Sequence, residues 1–480
     1  MSKIPPLLLS FILAVVGFSA FGQAGRGGLQ TTNLNPRELL DRAMEYAQTI
    51  ADKREHSLAV VNIASFQAYT GDINGATQTL KLVDDEESRG EILQWIVGAQ
   101  AKSGDFDAAK KTLSLIKRQR EKEGARQSIA AELARHGKLQ EALFEAGSLK
   151  NGYSRSDALT DIAVQLLKSG DVSNSKKVFE DAVLVAHDQN SMGSQQFMFI
   201  EADKIARIAE ARAKAGDSSG AIEDLRRLHE EIEKATDLND KATALEFLGC
   251  AQAGAGDIPG AIATAEEAGL YPSRGINDVF PCNPTSLRNR IVDAQIQAHD
   301  LSGAKLTLKK ITDPGSRIFA LCSISVAQFH SGEVDEANKM LEEAVQTVRK
   351  IEIEWARPAT TAEIGVARAA IGEMGAAQSL FEEAVRGLKE GNKDWISDEE
   401  MSKIAWRRMA AKDYEGAIRT ADMIANDGVK GFFFRRLASQ FVMSGEAARV
   451  ELLVGKEASP SIKVDLLLGM LDGVLKESQD

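Results

Sequence analysis

Small and aliphatic residues return along this chain in a fixed order. An Ile or Leu is followed eight positions later by a Gly–acid pair, then by an Ala, then by a Leu or Phe four residues further on. The stretches "AYTGDINGATQTL", "AKSGDFDAAKKTL", "AKAGDSSGAIEDL" and "AQAGAGDIPGAIATA" are four of the copies. Taking the Gly or its equivalent as an anchor gives Gly71, Gly104, Gly137, Gly170, Gly216, Gly256, His299, Gly332, Gly372, Lys412 and Gly445. Their successive spacings are 33, 33, 33, 46, 40, 43, 33, 40, 40 and 33. Self-similarity at such a period marks a solenoid of stacked units, so length alone does not set a domain count. An interval of 40 adds seven residues to the commonest 33. That is about two helical turns, which lengthens a helix and keeps its apolar stripe on the same side.

Three columns hold this register. Eight positions before the anchors stand Ile63, Ile96, Ile129, Ile162, Ile208, Leu248, Ile291, Ile324, Ile364, Ile404 and Leu437. Five positions after them comes Ala, or Ser175 in one copy, through Ala417, and one position after them an acid is usual. Each column has a physical task. Gly takes positive φ and ends a first helix. The acid caps the free N–H groups of a second helix, and Pro259 falls where proline is tolerated, just inside such a helix. The Ala, with small residues such as Ala64, Ala130, Ala163 and Ala209 in the first helix, allows two antiparallel helices to approach closely. The aliphatic column, with Leu80, Leu113, Phe179, Leu225, Leu341 and Phe381, fills the space between pairs.

On this pattern the chain resembles the tetratricopeptide-repeat family, over about residues 45 to 455. It departs from the family in period, in lacking most of its Trp and terminal Pro, and in placing Gln67, Gln100, Gln252, Gln295 and Gln328 where an aromatic is usual four before the anchor. The expected fold is all-α: an α-solenoid of about eleven stacked antiparallel helix pairs, a tetratricopeptide-like superhelix with terminal capping helices. Residues 35–460 form the solenoid, opening at Asn35 and Pro36, and residues 461–480 the C-terminal capping helix. Residues 269–286, "GLYPSRGINDVFPCNPTS", hold three prolines and two glycines and are expected as a non-helical insertion.

The N-terminus differs from the rest. One charge, Lys3, precedes a short apolar run that ends in Ala20 and Gly22, the layout of a secretory signal peptide over residues 1–22. Residues 23–34 then read as a flexible leader, and the mature chain as secreted or periplasmic, in a bacterial envelope. A membrane attachment follows only if that segment stays uncleaved. Net charge of −12 argues against a nucleic-acid partner, which needs a basic face. Three cysteines, Cys250, Cys282 and Cys322, allow at most one internal disulfide and read best as small buried hydrophobes.

No catalytic constellation stands out. The six histidines are scattered, Walker and GxSxG motifs are absent, and the Gly–acid pairs recur in every copy as caps do. No cofactor or metal is expected, nor enzymatic activity. The strongest binding signal lies two positions before the anchor, where Lys102, Arg135, Lys168 and Lys214 occupy consecutive copies after Tyr69. Cations in the last turn of a helix also answer its dipole, which is the plainer reading of this column. The resemblance implies that first helices line a concave groove and that this column faces ligand, as an acidic peptide would require. Later copies carry His330 in the same column and Trp406 four positions earlier in its own, a less charged and more apolar stretch. The resulting expectation is an exported protein-interaction scaffold that binds partner proteins or peptides in its groove. Two alternatives remain. One is a ligand-sensing or enzyme-associated solenoid that uses 269–286; the other is a self-associating spacer with exposed apolar ends.

Overall fold

In the computed structural model, which describes residues 34–187, 198–270, 284–352, 356–390 and 397–477, every anchor sits in left-handed backbone. The nine glycines have φ between 74° and 109°, and His299 and Lys412 adopt 59° and 61°. Each turn closes the helix before it in the same way. Gly71 donates to the Ala68 carbonyl at 3.0 Å and Asp72 to the Gln67 carbonyl at 2.8 Å, and the other copies repeat this pair of bonds. The acid then caps the next helix. Asp72 accepts from the Gly75 N–H at 2.8 Å, Asp105 from Ala108 at 3.0 Å, and Asp257 from Gly260 at 3.0 Å.

The described residues form 24 α-helices. After α1 (Pro36–Ala47), first helices carry even numbers: α2 (Lys53–Tyr69), α4 (Glu86–Lys102), α6 (Gln119–Arg135), α8 (Gly152–Lys168), α10 (Met198–Lys214), α12 (Leu238–Ala255), α14 (Pro284–Gln297), α16 (Pro314–His330), α18 (Arg357–Ala370), α20 (Ser397–Ala410), α22 (Asp427–Met443) and α24 (Pro460–Glu477). Second helices are α3 (Ile73–Thr79), α5 (Phe106–Leu115), α7 (Leu139–Gly147), α9 (Val172–His187), α11 (Ser218–Ile232), α13 (Ile258–Ala268), α15 (Leu301–Lys309), α17 (Val334–Val348), α19 (Met374–Glu390), α21 (Tyr414–Ala421) and α23 (Ala447–Lys456). Helix α14 begins at Pro284, two residues before the expected end of the 269–286 insertion, and residues 271–283 lie outside the described set, as does the expected signal peptide.

In four of the five longer copies the second helix is extended. It has 7 to 10 residues in α3, α5, α7, α15 and α21, and 15 to 17 in α9, α11, α17 and α19. The small columns are the crossing points within pairs. Ser175 Oγ on α9 donates to the Ala163 carbonyl of α8 at 2.8 Å, and Ser325 Oγ on α16 to the Ala337 carbonyl of α17 at 2.9 Å. Backbones must pass close together for such bonds to form. Where the family carries an aromatic, a Gln–Thr clasp ties three of the pairs instead. Thr79 donates to Gln67 at 2.8 Å, Thr264 to Gln252 at 2.8 Å and Thr307 to Gln295 at 2.9 Å.

First helices pack against one another in sequence from α2 to α24, whereas second helices pack onto their own and the following first helix. The even helices are therefore the inner, concave layer. The stack also closes on itself. Helix α24 packs on α22 at one side and on α2 and α1 at the other. Leu39, Leu40, Ala43 and Ala47 of α1 belong to the same buried cluster as Leu466, Leu467, Met470 and Leu471 of α24. Eleven helix pairs are continuous in sequence, and the two terminal helices cap each other as a twelfth, α24 with α1. The solenoid is a ring.

Candidate functional site

The inner wall is formed by the even helices, on the sides turned away from their second helices. Side chains from neighbouring helices are tied together along it. Gln127 Nε2 of α6 donates to Asp161 of α8 at 2.9 Å. Lys204 of α10 pairs with Asp157 of α8. Arg290 of α14 reaches Glu210 of α10 at 3.3 Å, passing over Gly254 of the intervening α12. Ser323 of α16 bonds Asp293 of α14, and Arg407 Nε of α20 donates to Glu363 of α18 at 2.8 Å.

Two of these carboxyls are held by neutral donors. Burial pushes Asp161 above the ordinary carboxylate range, against the hydrogen bond from Gln127, and the nearby Asp157 adds to the rise. Asp293 is raised too, mainly by burial, with Ser323 and Arg290 acting the other way. Around the closing joint the wall is more apolar. Leu58 of α2 is 58% exposed and Trp95 of α4 is 49% exposed. Trp406 of α20 packs 5.8 Å from the Phe432 ring and 5.2 Å from that of Phe433, both on α22.

The column two before the anchor runs along the edge of the wall, beside the turns. Tyr69, Lys102, Arg135, Lys168, Lys214 and His330 are all exposed. The structure brings the first two together, with Lys102 Nζ 4.7 Å from the centre of the Tyr69 ring. Arg135 pairs with Glu132 at 3.2 Å and Lys214 with Glu210 at 3.7 Å, each within its own helix. Such surface pairs are worth about 0–1 kcal/mol and remain open to exchange. His330 stands edge-on to Phe329, and Trp406 donates its indole N–H to Ser402 at 3.1 Å. Trp406 therefore serves the packing of α20 on α22 as well as the wall. Cys250 and Cys322 are buried, and burial raises the Cys322 thiol well above its usual value.

Sequence reasoning missed the charged residues nine before the anchor, Asp161, Arg207, Arg290, Glu363, Lys403 and Arg436, a column of mixed sign interrupted by Phe247 and Ser323. Reading charge at every inward position would have found it. Among the described residues no group of three or more His, Cys, Asp or Glu is placed to hold a metal ion. No described helix is long and apolar enough to cross a membrane. The wall offers carboxylates and guanidinium groups, with exposed apolar side chains gathered around the closing joint.

No family model and no curated protein matches the chain. Among solved structures it is similar to Ton1535 from Thermococcus onnurineus, at 15% identity over 78% of this chain and 97% of that one, with a TM-score of 0.29. A signal-transduction ATPase with a tetratricopeptide-repeat sensor from Pyrococcus horikoshii is 13% identical over 93% of this chain and 73% of that one, with a TM-score of 0.28. The APC/C hetero-tetramer Cut9-Hcn1 is 12% identical over 93% and 99%, at 0.27. Identities and TM-scores this low carry no argument about what the present chain does.

Proposed function

We propose that this protein is an exported, non-enzymatic scaffold that binds segments of partner proteins, with acidic segments engaging the cation column. One observation carries the reading. The position two before the anchor is exposed on every first helix from α2 to α22 except α18, so its side chains are surplus to packing. In an acidic chain, four consecutive copies nonetheless place a cation there: Lys102, Arg135, Lys168 and Lys214. Spaced one repeat apart, they form many weak contacts that steer a negatively charged partner and lose strength with salt.

The test uses the purified chain without residues 1–22 and two fluorescein-labelled peptides, one Asp/Glu-rich and one Lys/Arg-rich, read by anisotropy. The acidic peptide should bind in a salt-sensitive way, and changing Lys102, Arg135, Lys168 and Lys214 together to Glu should abolish it. Equal binding of that peptide by the variant sinks the column as a recognition surface. Export is checked separately by N-terminal sequencing of the protein recovered from cells, where a start at Gln23 supports the reading and a retained Met1 refutes it.

A further inference from the structure

We propose that α1 is a latch: it closes the ring against α24, and this joint is where the ring opens. Each of the other eleven joints between neighbouring first helices has the chain running across it through a second helix. The joint from α24 to α2 is crossed by no peptide bond, and α1, from the opposite end of the chain, fills the place of the missing second helix.

The two sides of α24 are fastened differently. Toward α22 the backbones touch. A Cβ on Gly469 would collide with the Arg435 carbonyl oxygen, and one on Gly473 would lie 2.6 Å from Val442 and 2.8 Å from the Ser439 carbonyl oxygen. Helix α24 is thus seated on α22 at a depth that only glycine permits. Toward α1 the contact is made by side chains. Leu39, Leu40, Ala43 and Ala47 are buried, and Arg42 makes a two-pronged bond to Glu451 of α23 at 2.8 and 2.7 Å. Lys463 Nζ of α24 stands 4.8 Å from the centre of the Tyr46 ring. Arg42 and Glu451 stay 30% and 41% exposed, within reach of salt. Helix α1 has 12 residues, and a helix that short is marginal in water once its apolar face is uncovered. Release of the joint therefore leaves α24 on α22, frees α1, and converts a closed wall into an open groove that a partner can enter from the side. The latch does not depend on what the groove binds.

The experiment uses the chain with its three cysteines replaced by alanine or serine and with Arg42→Cys and Glu451→Cys added, joined by a short bis-maleimide. A closed ring gives an intramolecular cross-link in a monomer, read by gel shift and light scattering. A cross-link that forms only between chains, or none in a protein of normal helicity, overturns the closure. Hydrogen exchange then tests the opening. Amides of α1 should exchange faster than those of α22, and cross-linking should remove that fast exchange while leaving α12 unchanged. Exchange in α1 as slow as in α22, or unaffected by the cross-link, overturns the latch.

Discussion

Four residues before the anchor, eight of the eleven copies replace an expected aromatic with Gln or Arg, and the structure supplies a reason for several of them. Gln252 and Thr264 are 5% and 1% exposed and satisfy each other across the α12–α13 pair. Arg212 does the same with Asp217 and Asp224 at 2.7 Å while lying over the Phe179 ring of the preceding pair. In four copies the partner sits eight after the anchor, at Thr79, Thr264, Thr307 or Asp224, whereas Gln328, Arg368 and Arg408 bond the acid one after it. Both columns are plain in the sequence, but their link is not, because a hydrogen bond between columns twelve apart leaves no periodic trace of its own. Changing Gln252 to Leu strands the Thr264 hydroxyl and should cost about 1–3 kcal/mol. Adding Thr264→Val should recover most of it, as read from denaturation midpoints of both variants. A double variant as unstable as the single would refute the clasp.

At the scale of elements, the seven-residue increments add turns to the second helices, while the first helices stay between 14 and 18 residues. One joint between elements should respond to pH. His187 ends α9 and bonds Glu201 in the first turn of α10. That bond holds the imidazole above its ordinary value, with burial opposing and Glu231 of α11 assisting. A raised value in the folded state means that the stabilisation is present below the unfolded value of about 6.5 and is lost as pH climbs through the folded one. His187→Gln should therefore destabilise the protein at pH 6 more than at pH 8, by denaturant melts. Identical penalties at the two pH values would dismiss the pair as a proton-linked contact.

At the scale of the molecule, ring closure bears on the spacer alternative, which requires exposed apolar ends. Leu466, Leu467, Met470 and Leu471 are at most 1% exposed, and Leu39 and Leu40 are 3% and 5%, because the two ends bury each other. Deleting residues 461–480 should therefore provoke self-association by baring α1 and α22, seen as concentration-dependent mass in light scattering. A truncated chain that loses an existing dimer would restore the spacer reading. Local physics determined the repeat by itself: left-handed backbone at each anchor, an acid cap after it, and small residues at the crossings are all set within a few tens of residues. The sequence could say that helices begin at Pro36 and after Pro460, and that each carries an apolar face. It could not say that these faces belong together, because a small change in rotation per repeat, summed over eleven pairs, separates an open superhelix from a ring. That sum, and the charge ladder that neighbouring helices build across the inner wall, were decided only by packing.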